Sequence, residues 1–296
     1  RIVMFRGGYH GHIQETMVAP GADDLGAPGA LGMQPEVARE TVPLPFNDLA
    51  ALRRVLDRGD VAAVVTEPAL TNAGLVLPAP GFLAEACRLA RAAGALFVLD
   101  ETHSWQFAHG GMKGHMGLDC DVLTLGKGLG SGIALGLYGM TPDIAEGLAT
   151  RREGGADGRP GIATGGTIHG NPLSTAAALA MLEEVQTEAG YARITALGTR
   201  LADGLDALIQ VRGLPWRAFR FGPRSGLCLT PELPRNAGDA APSMHRGFSA
   251  ARRLYMANRG IWDAIWSAGP QVGFSHDAGD VDHYVAVAAD FLDQIT

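Results

Sequence analysis

Apolar residues fall into short runs separated by polar or glycine-rich turns, at residues 2–5, 61–66, 95–100, 122–125 and 134–140. The runs are continuous rather than alternating, and their length and flanks predict strands buried on both faces. Between them, residues 48–56 and 82–93 have a helical pattern, the second introduced by Pro78, Pro80 and Gly81 and stopped by Gly94. Strands alternating with helices predict an α/β fold, a mainly parallel sheet with helices on both faces. Ligands of such sheets gather beyond the carboxyl ends of the strands.

After Asn171-Pro172 the pattern changes to long Ala- and Leu-rich helical stretches, 173–188 and 191–209, with Gly190 as the expected break. Shorter strand candidates (216–221, 226–229, 271–274) and helices (244–259, 281–295) follow, the mark of a small α+β domain. The expected division is 1–189 for a large domain and 190–296 for a small one. Residues 231–242, rich in Pro, Asn, Gly and Ala, read as an irregular loop. Because Arg1 leads straight into a strand, the large domain is expected to lack its N-terminal part.

Composition narrows the function classes. At 296 residues, 47% hydrophobic and 19% charged, the chain can bury a substantial core and is not disordered. A net charge of -7 without a basic patch disfavours nucleic acid as a partner. Cys87, Cys120 and Cys228 are widely spaced and odd in number, which argues against a disulfide framework and for a cytoplasmic protein. No apolar run approaches the roughly 20 residues that span a bilayer, so no membrane association is expected.

Two residues carry candidate chemistry. Asp100 ends the run Ala-Leu-Phe-Val-Leu-Asp, where a poorly hydrated carboxylate needs a partner. It reads either as a helix N-cap or as the counter-ion of a cationic ring nitrogen, the contact that keeps a pyridinium protonated and electron-withdrawing. Lys127 follows another strand, inside Thr-Leu-Gly-Lys-Gly-Leu-Gly-Ser-Gly, where glycines admit close approach of backbone to ligand. It reads either as a solvated surface lysine or as a partly desolvated amine able to form a Schiff base. A nucleotide P-loop fails, since Asp121 stands at its first glycine position and Gly128 follows the lysine. A dinucleotide fold lacks its Gly-x-Gly-x-x-Gly turn. His103, His109 and His115 recur every six residues, a spacing that spreads them around a helix, so no metal site is expected.

In chain order, five blocks resemble the class-III aminotransferases of fold type I, including glutamate-1-semialdehyde aminomutases and ω-aminotransferases. They are Phe5-Arg6-Gly7-Gly8-Tyr9-His10-Gly11-His12, Glu67-Pro68-Ala69-Leu70-Thr71-Asn72-Ala73-Gly74, Asp100-Glu101, Gly126-Lys127, and Gly166-Thr167-Ile168-His169-Gly170-Asn171-Pro172-Leu173. The resemblance implies pyridoxal 5'-phosphate (PLP) as cofactor and transfer of an amino group between an amine or amino acid and a keto or aldehyde acceptor. An aminomutase is the alternative within the class, and an inactive relic of the fold the alternative outside it. It further implies that Lys127 bears the cofactor, that Asp100 pairs with the ring nitrogen, that Tyr9 stacks on the ring while His10 and Gly11 shape its turn, and that Asn72 holds the ring hydroxyl. Glu67 lies on the same strand-to-loop segment as Asn72. Thr167 matches a residue that reaches the phosphate in the partner subunit of a homodimer; the bland reading of Thr167 is a residue near a helix start, and of Tyr9 a core tyrosine.

The departures from the family pattern are concentrated after Asp100-Glu101. Thr102 stands where Val is usual, and His103 stands where Gln often contacts the ring oxygen, so an imidazole is expected to take over that contact. Only eight residues precede the Tyr-His-Gly block, whereas the family's phosphate-cradling loop and helix normally come before it. Helix N-termini supply much of a phosphate site's attraction, and weak PLP binding by this chain is the expectation.

Overall fold

The computed structural model describes residues 1–151, 161–263 and 269–295. In chain order the strands are β1 (Ile2–Phe5), β2 (Val18–Pro20), β3 (Gly26–Pro28), β4 (Thr41–Leu44), β5 (Ala63–Thr66), β6 (Leu96–Asp100), β7 (Val122–Gly126), β8 (Gly136–Met140), β9 (Arg217–Phe221) and β10 (Arg224–Cys228). The helices are α1 (Pro35–Ala38), α2 (Leu49–Leu56), α3 (Phe82–Ala92), α4 (Gly111–His115), α5 (Pro142–Thr150), α6 (Pro172–Ala180), α7 (Glu188–Val211), α8 (Ala237–Ala240), α9 (Arg246–Ala257) and α10 (Ala278–Asp293).

Six strands form the main sheet in the order β4-β1-β5-β6-β7-β8. Neighbours are parallel from β4 to β7, and β8 runs antiparallel to β7. β2 and β3 make a separate antiparallel pair that the hydrophobic pattern did not reveal. β4, Thr-Val-Pro-Leu, was likewise not foreseen. Pro43 offers no N–H to a ladder, and edge strands tolerate that.

The core under the sheet comes from β1, β4, β5 and β6 together with α2 and α3, with Val3, Val42, Val64, Phe97 and Leu99 fully buried. α2 starts because the Asp48 carboxylate accepts from the Ala51 N–H at 2.8 Å, and its Leu52, Val55 and Leu56 form one apolar face. α3 ends in a Schellman turn: Gly94, at φ +76°, donates to Arg91 O, and Ala95 donates to Ala90 O. Phe5, Phe46 and Phe82 meet edge to face, with centroids 4.9 to 5.5 Å apart.

In the C-terminal part, α7 packs on the β9–β10 hairpin and on α10 through Tyr191, Ile194, Leu201, Leu205, Val281 and Tyr284. Gly190 does not break the helices as expected. It lies inside the first turn of α7, which the Thr187 hydroxyl caps by accepting from its N–H. The stretch expected as one helix over 173–188 is α6 followed by a π-helical turn, Met181–Val185. Gln271 makes only an isolated bridge to Arg224 where a strand was expected. The loop expected over 231–242 contains α8, capped by Asn236.

Candidate active site

Four strand ends converge on one cavity of about 400 Å³, within the range of a cofactor pocket. After β1 the chain turns and delivers Tyr9, His10 and Gly11; β5 leads to Glu67 and Asn72; β6 ends on Asp100; β7 leads to Lys127. All of these line the cavity, as does His103. Thr167, the remaining predicted site residue, is exposed in a turn and is not among the lining residues. Gly7 makes the first turn feasible. It sits at φ +88°, and a Cβ there would come within 2.7 Å of Ala237 Cβ, so α8 can close against the turn.

Asp100 is held by three contacts. Its Oδ1 accepts from the Thr102 N–H at 3.0 Å and the Thr124 hydroxyl at 2.8 Å, and its Oδ2 lies 2.7 Å from His10 Nδ1. Thr124 is in register with Asp100 on the neighbouring strand, which explains that contact. Burial alone would raise the Asp100 pKa. The hydrogen bond and charge of His10, with the Thr102 contact, outweigh it and hold the carboxyl at about 2. The bond from Thr102 N–H closes a local turn, but no helix starts at Asp100: the next helical turn, Trp105–Phe107, has Ser104 at its N-cap position, so Asp100 is not a helix cap. Glu101 turns the other way. It is fully buried and accepts from Met112 N–H and Lys113 N–H, both at 2.6 Å, at the start of α4.

Lys127 lies at φ +47°, a left-handed conformation that costs a lysine about 1 kcal/mol or more. Its turn is clamped from behind. Gln186 Nε2 donates to Gly128 O at 2.9 Å, Trp105 Nε1 donates to Gln186 Oε1 at 3.1 Å, and a Cβ on Gly128 would overlap the Gln106 amide. The lysine is exposed, not partly desolvated as expected, and the neighbouring strand β8 is also exposed along most of its length.

Tyr9 is 38% exposed rather than a core residue, and its hydroxyl reaches the His12 ring at 3.1 Å. Its backbone N–H donates to Glu67 Oε1 at 3.1 Å. Burial, opposed by His10, Thr71 and Tyr9, raises the Glu67 pKa. His103 is buried, with Nδ1 at 2.7 Å from Thr71 Oγ1 and Nε2 at 3.1 Å from the Arg224 guanidinium. Both ring nitrogens are therefore engaged by protein groups. Thr124 and Thr71 were not picked out from the sequence as parts of this site; Arg224, which the sequence offers with Arg6, Arg151 and Arg220 as a grip for a substrate carboxylate, lies buried against His103. For Thr124 the signal was its register opposite Asp100.

A buried anionic carboxylate and a primary amine line one cavity at the carboxyl ends of parallel strands, a pair with the chemistry to bind a cationic aromatic ring and to condense with a carbonyl. The sequence model of Aminotransferase class-III matches residues 1–214. The chain is 34% identical to the glutamate-1-semialdehyde 2,1-aminomutase of Sorangium cellulosum, over 98% of this chain and 66% of that protein. Among solved structures, a variant of glutamate-1-semialdehyde-aminomutase from Pseudomonas aeruginosa PAO1 in complex with PMP superposes with a TM-score of 0.90 at 33% identity, over 100% of this chain and 66% of that one. An omega-transaminase from Sphaerobacter thermophilus gives 0.86 at 26% identity, over 99% and 68%. The chain belongs to the class-III aminotransferase family of PLP-dependent enzymes, with the fold-type-I architecture. It spans about two thirds of the length of the relatives it matches.

The residues present fit PLP. Asp100 Oδ2 retains acceptor capacity beside its His10 contact, which is what a protonated pyridine nitrogen needs. Lys127 supplies the amine to the same cavity.

Proposed function

We propose that the protein is a PLP-dependent aminotransferase that moves an amino group between an amine or amino acid and a keto or aldehyde acceptor, with Lys127 as the cofactor-bearing residue. The observation that carries this reading is the Asp100 carboxylate, held anionic by His10, Thr102 and Thr124 in the cavity that Lys127 also lines. When bound, PLP supplies an electron sink for the carbanion formed at a substrate's α-carbon. Asp100 holds the proton on the ring nitrogen, His10 orients Asp100, and Tyr9 offers its ring as a stacking face. Asn72 holds the ring hydroxyl. Lys127 Nζ binds the cofactor at rest and, once released by the substrate amine, takes the proton from the substrate's α-carbon.

In this reading residues 1–189 form the cofactor-binding domain, and 190–296 the smaller domain that covers it. The enzyme works in the cytoplasm, in keeping with three buried, unpaired cysteines. It acts as a homodimer in which Thr167 serves the partner's phosphate site, in keeping with the exposure of Thr167 and of the neighbouring Ile168, 77% exposed, and Leu173, 66%.

A second reading, a 2,1-aminomutase that returns the amino group to the neighbouring carbon of the same substrate, draws support from the names of relatives at 33–34% identity. The same residues serve both reactions.

The test is incubation with PLP, reduction with borohydride and peptide mass analysis. The expected result is a phosphopyridoxyl adduct on the Lys127 peptide, its absence in Lys127→Ala, and loss of visible absorbance when an amine donor is added. An unmodified Lys127 peptide in a protein that has bound PLP would sink the enzyme reading in favour of an inactive relic. Product analysis with a single substrate and no acceptor then separates aminomutase from aminotransferase.

A further inference from the structure

A line of polar groups runs along the wall of the cavity, joining segments that are distant in sequence. Arg224 opens β10 and is 1% exposed. Its NH1 lies 3.1 Å from His103 Nε2 and 3.4 Å from Gln271 Oε1. His103 Nδ1 lies 2.7 Å from Thr71 Oγ1, and Thr71 Oγ1 contacts Glu67 Oε2. Glu67 Oε1 in turn accepts the Tyr9 N–H, on the turn that carries the predicted stacking ring.

The proton positions along this line follow from the chemistry of its ends. A guanidinium only donates, so His103 Nε2 must be the acceptor and carries no hydrogen. An Nε2–H tautomer or an imidazolium would point one donor at another. The ring hydrogen is therefore on Nδ1, which donates to Thr71 Oγ1 and leaves the Thr71 hydroxyl free to donate to Glu67. Every donor points from Arg224 toward Glu67, and both ring nitrogens are satisfied within the protein. The same environment, burial first and the Arg224 and Lys127 charges next, holds the imidazole neutral, with a pKa of about 3.

We propose that His103 is a positioning residue: fixed as the Nδ1–H tautomer between Arg224 and Thr71, it holds Glu67, and through Glu67 the Tyr9 turn, in register with the cofactor cavity. This replaces the direct contact with the cofactor ring expected from the sequence, and it rests on the PLP reading of the cavity only for its consequence, not for the tautomer. A buried network with every member satisfied specifies one arrangement of its parts; removal of one member leaves the others unpaired.

The test has two readouts. Long-range proton–nitrogen spectra of the chain labelled with ¹⁵N-histidine, with His103 identified by His103→Gln, report the tautomer directly. A protonated Nδ1 and a bare Nε2 with no titration between about pH 5 and 8 are expected, and Arg224→Met is expected to shift both signals. PLP affinity is the second readout. Thr71→Val and Arg224→Met should each weaken it about tenfold, whereas His103→Gln, whose amide can accept from Arg224 and donate to Thr71, should stay within about threefold of the parent. An Nε2–H tautomer or an imidazolium at neutral pH overturns the proposal whether or not PLP binds, as does unchanged PLP affinity in both Thr71→Val and Arg224→Met. Failure of the parent chain to take up PLP while His103 shows the Nδ1–H form counts against the PLP reading and leaves the tautomer assignment standing.

Discussion

The two flanks of the central sheet are built differently, and the candidate site straddles them. On the β4-β1-β5-β6 flank the strands are covered by α2 and α3 and their inner residues are fully buried. On the β7–β8 flank, Leu137 and Tyr138 of β8 are 45% and 59% exposed, and Ile133 just before it is 37% exposed. Asp100 ends the last strand of the closed flank and has three donors in place. Lys127 stands at the end of the first strand of the open flank, exposed and in a left-handed conformation. The difference separates two parts of one cavity: the carboxylate, proposed above to fix a cofactor's charge, is organised by the core, while the amine, proposed to bond to the cofactor, sits beside an exposed strand.

The contrast should be largest in the stability of core variants. Phe97, on β6, is fully buried in the core of the closed flank, and its N–H donates to Asp121 Oδ2 at 2.7 Å. Phe97→Ala is expected to cost about 3–5 kcal/mol in urea unfolding, from lost burial and the cavity left behind. Leu137→Ala on β8 should change stability by less than about 1 kcal/mol. Comparable losses at the two positions would mean that the flanks do not differ as described.

The next effect is electrostatic. Because the folded pKa of Asp100 is depressed, from 3.8 to about 2, its ionisation stabilises the fold above the unfolded value. That contribution, about 2 kcal/mol, is complete above roughly pH 5 and fades as pH falls toward 2. Asp100→Asn keeps the shape and removes the charge, so the gap in urea midpoint between parent and variant should be widest near neutrality and close in acid. A gap that widens as pH falls would contradict the assignment of His10 and Thr102 as partners of the anion.

Strands of both flanks were legible in sequence: β1, β5, β6, β7 and β8 fall in continuous apolar runs, and Asp100 and Lys127 follow as the residues at the ends of β6 and β7. What the pattern misjudged on the open flank was burial, since β8 is exposed along most of its length. β4 was hidden by Pro43, and its four residues read as a strand only once β1 lies beside them. The support of the site was hidden for another reason. His103 and Arg224 are 121 positions apart, and nothing in the pattern of either segment signals that a guanidinium and an imidazole will share a hydrogen bond. The exposure of Lys127 was not legible either, since a lysine among glycines at a strand end has the same sequence pattern whether it is covered or exposed.

The smallest effect concerns the open flank itself. In β8, successive side chains point to opposite faces, so exposure of both Leu137 and Tyr138 means that neither face of this strand is fully covered. Among the described residues its only strand partner is β7, which makes it an edge strand. An edge of this kind is a template for pairing, and an apolar patch beside it favours association. Leu137→Lys with Tyr138→Lys places charge on both faces of the edge. The expected outcome is less self-association in sedimentation velocity, with a change in unfolding free energy of about 0.5 kcal/mol or less, because neither side chain contributes to the core. If association persists unchanged, the surface that copies of this chain share lies elsewhere, and Thr167 with the exposed face of α6 becomes the place to cut next.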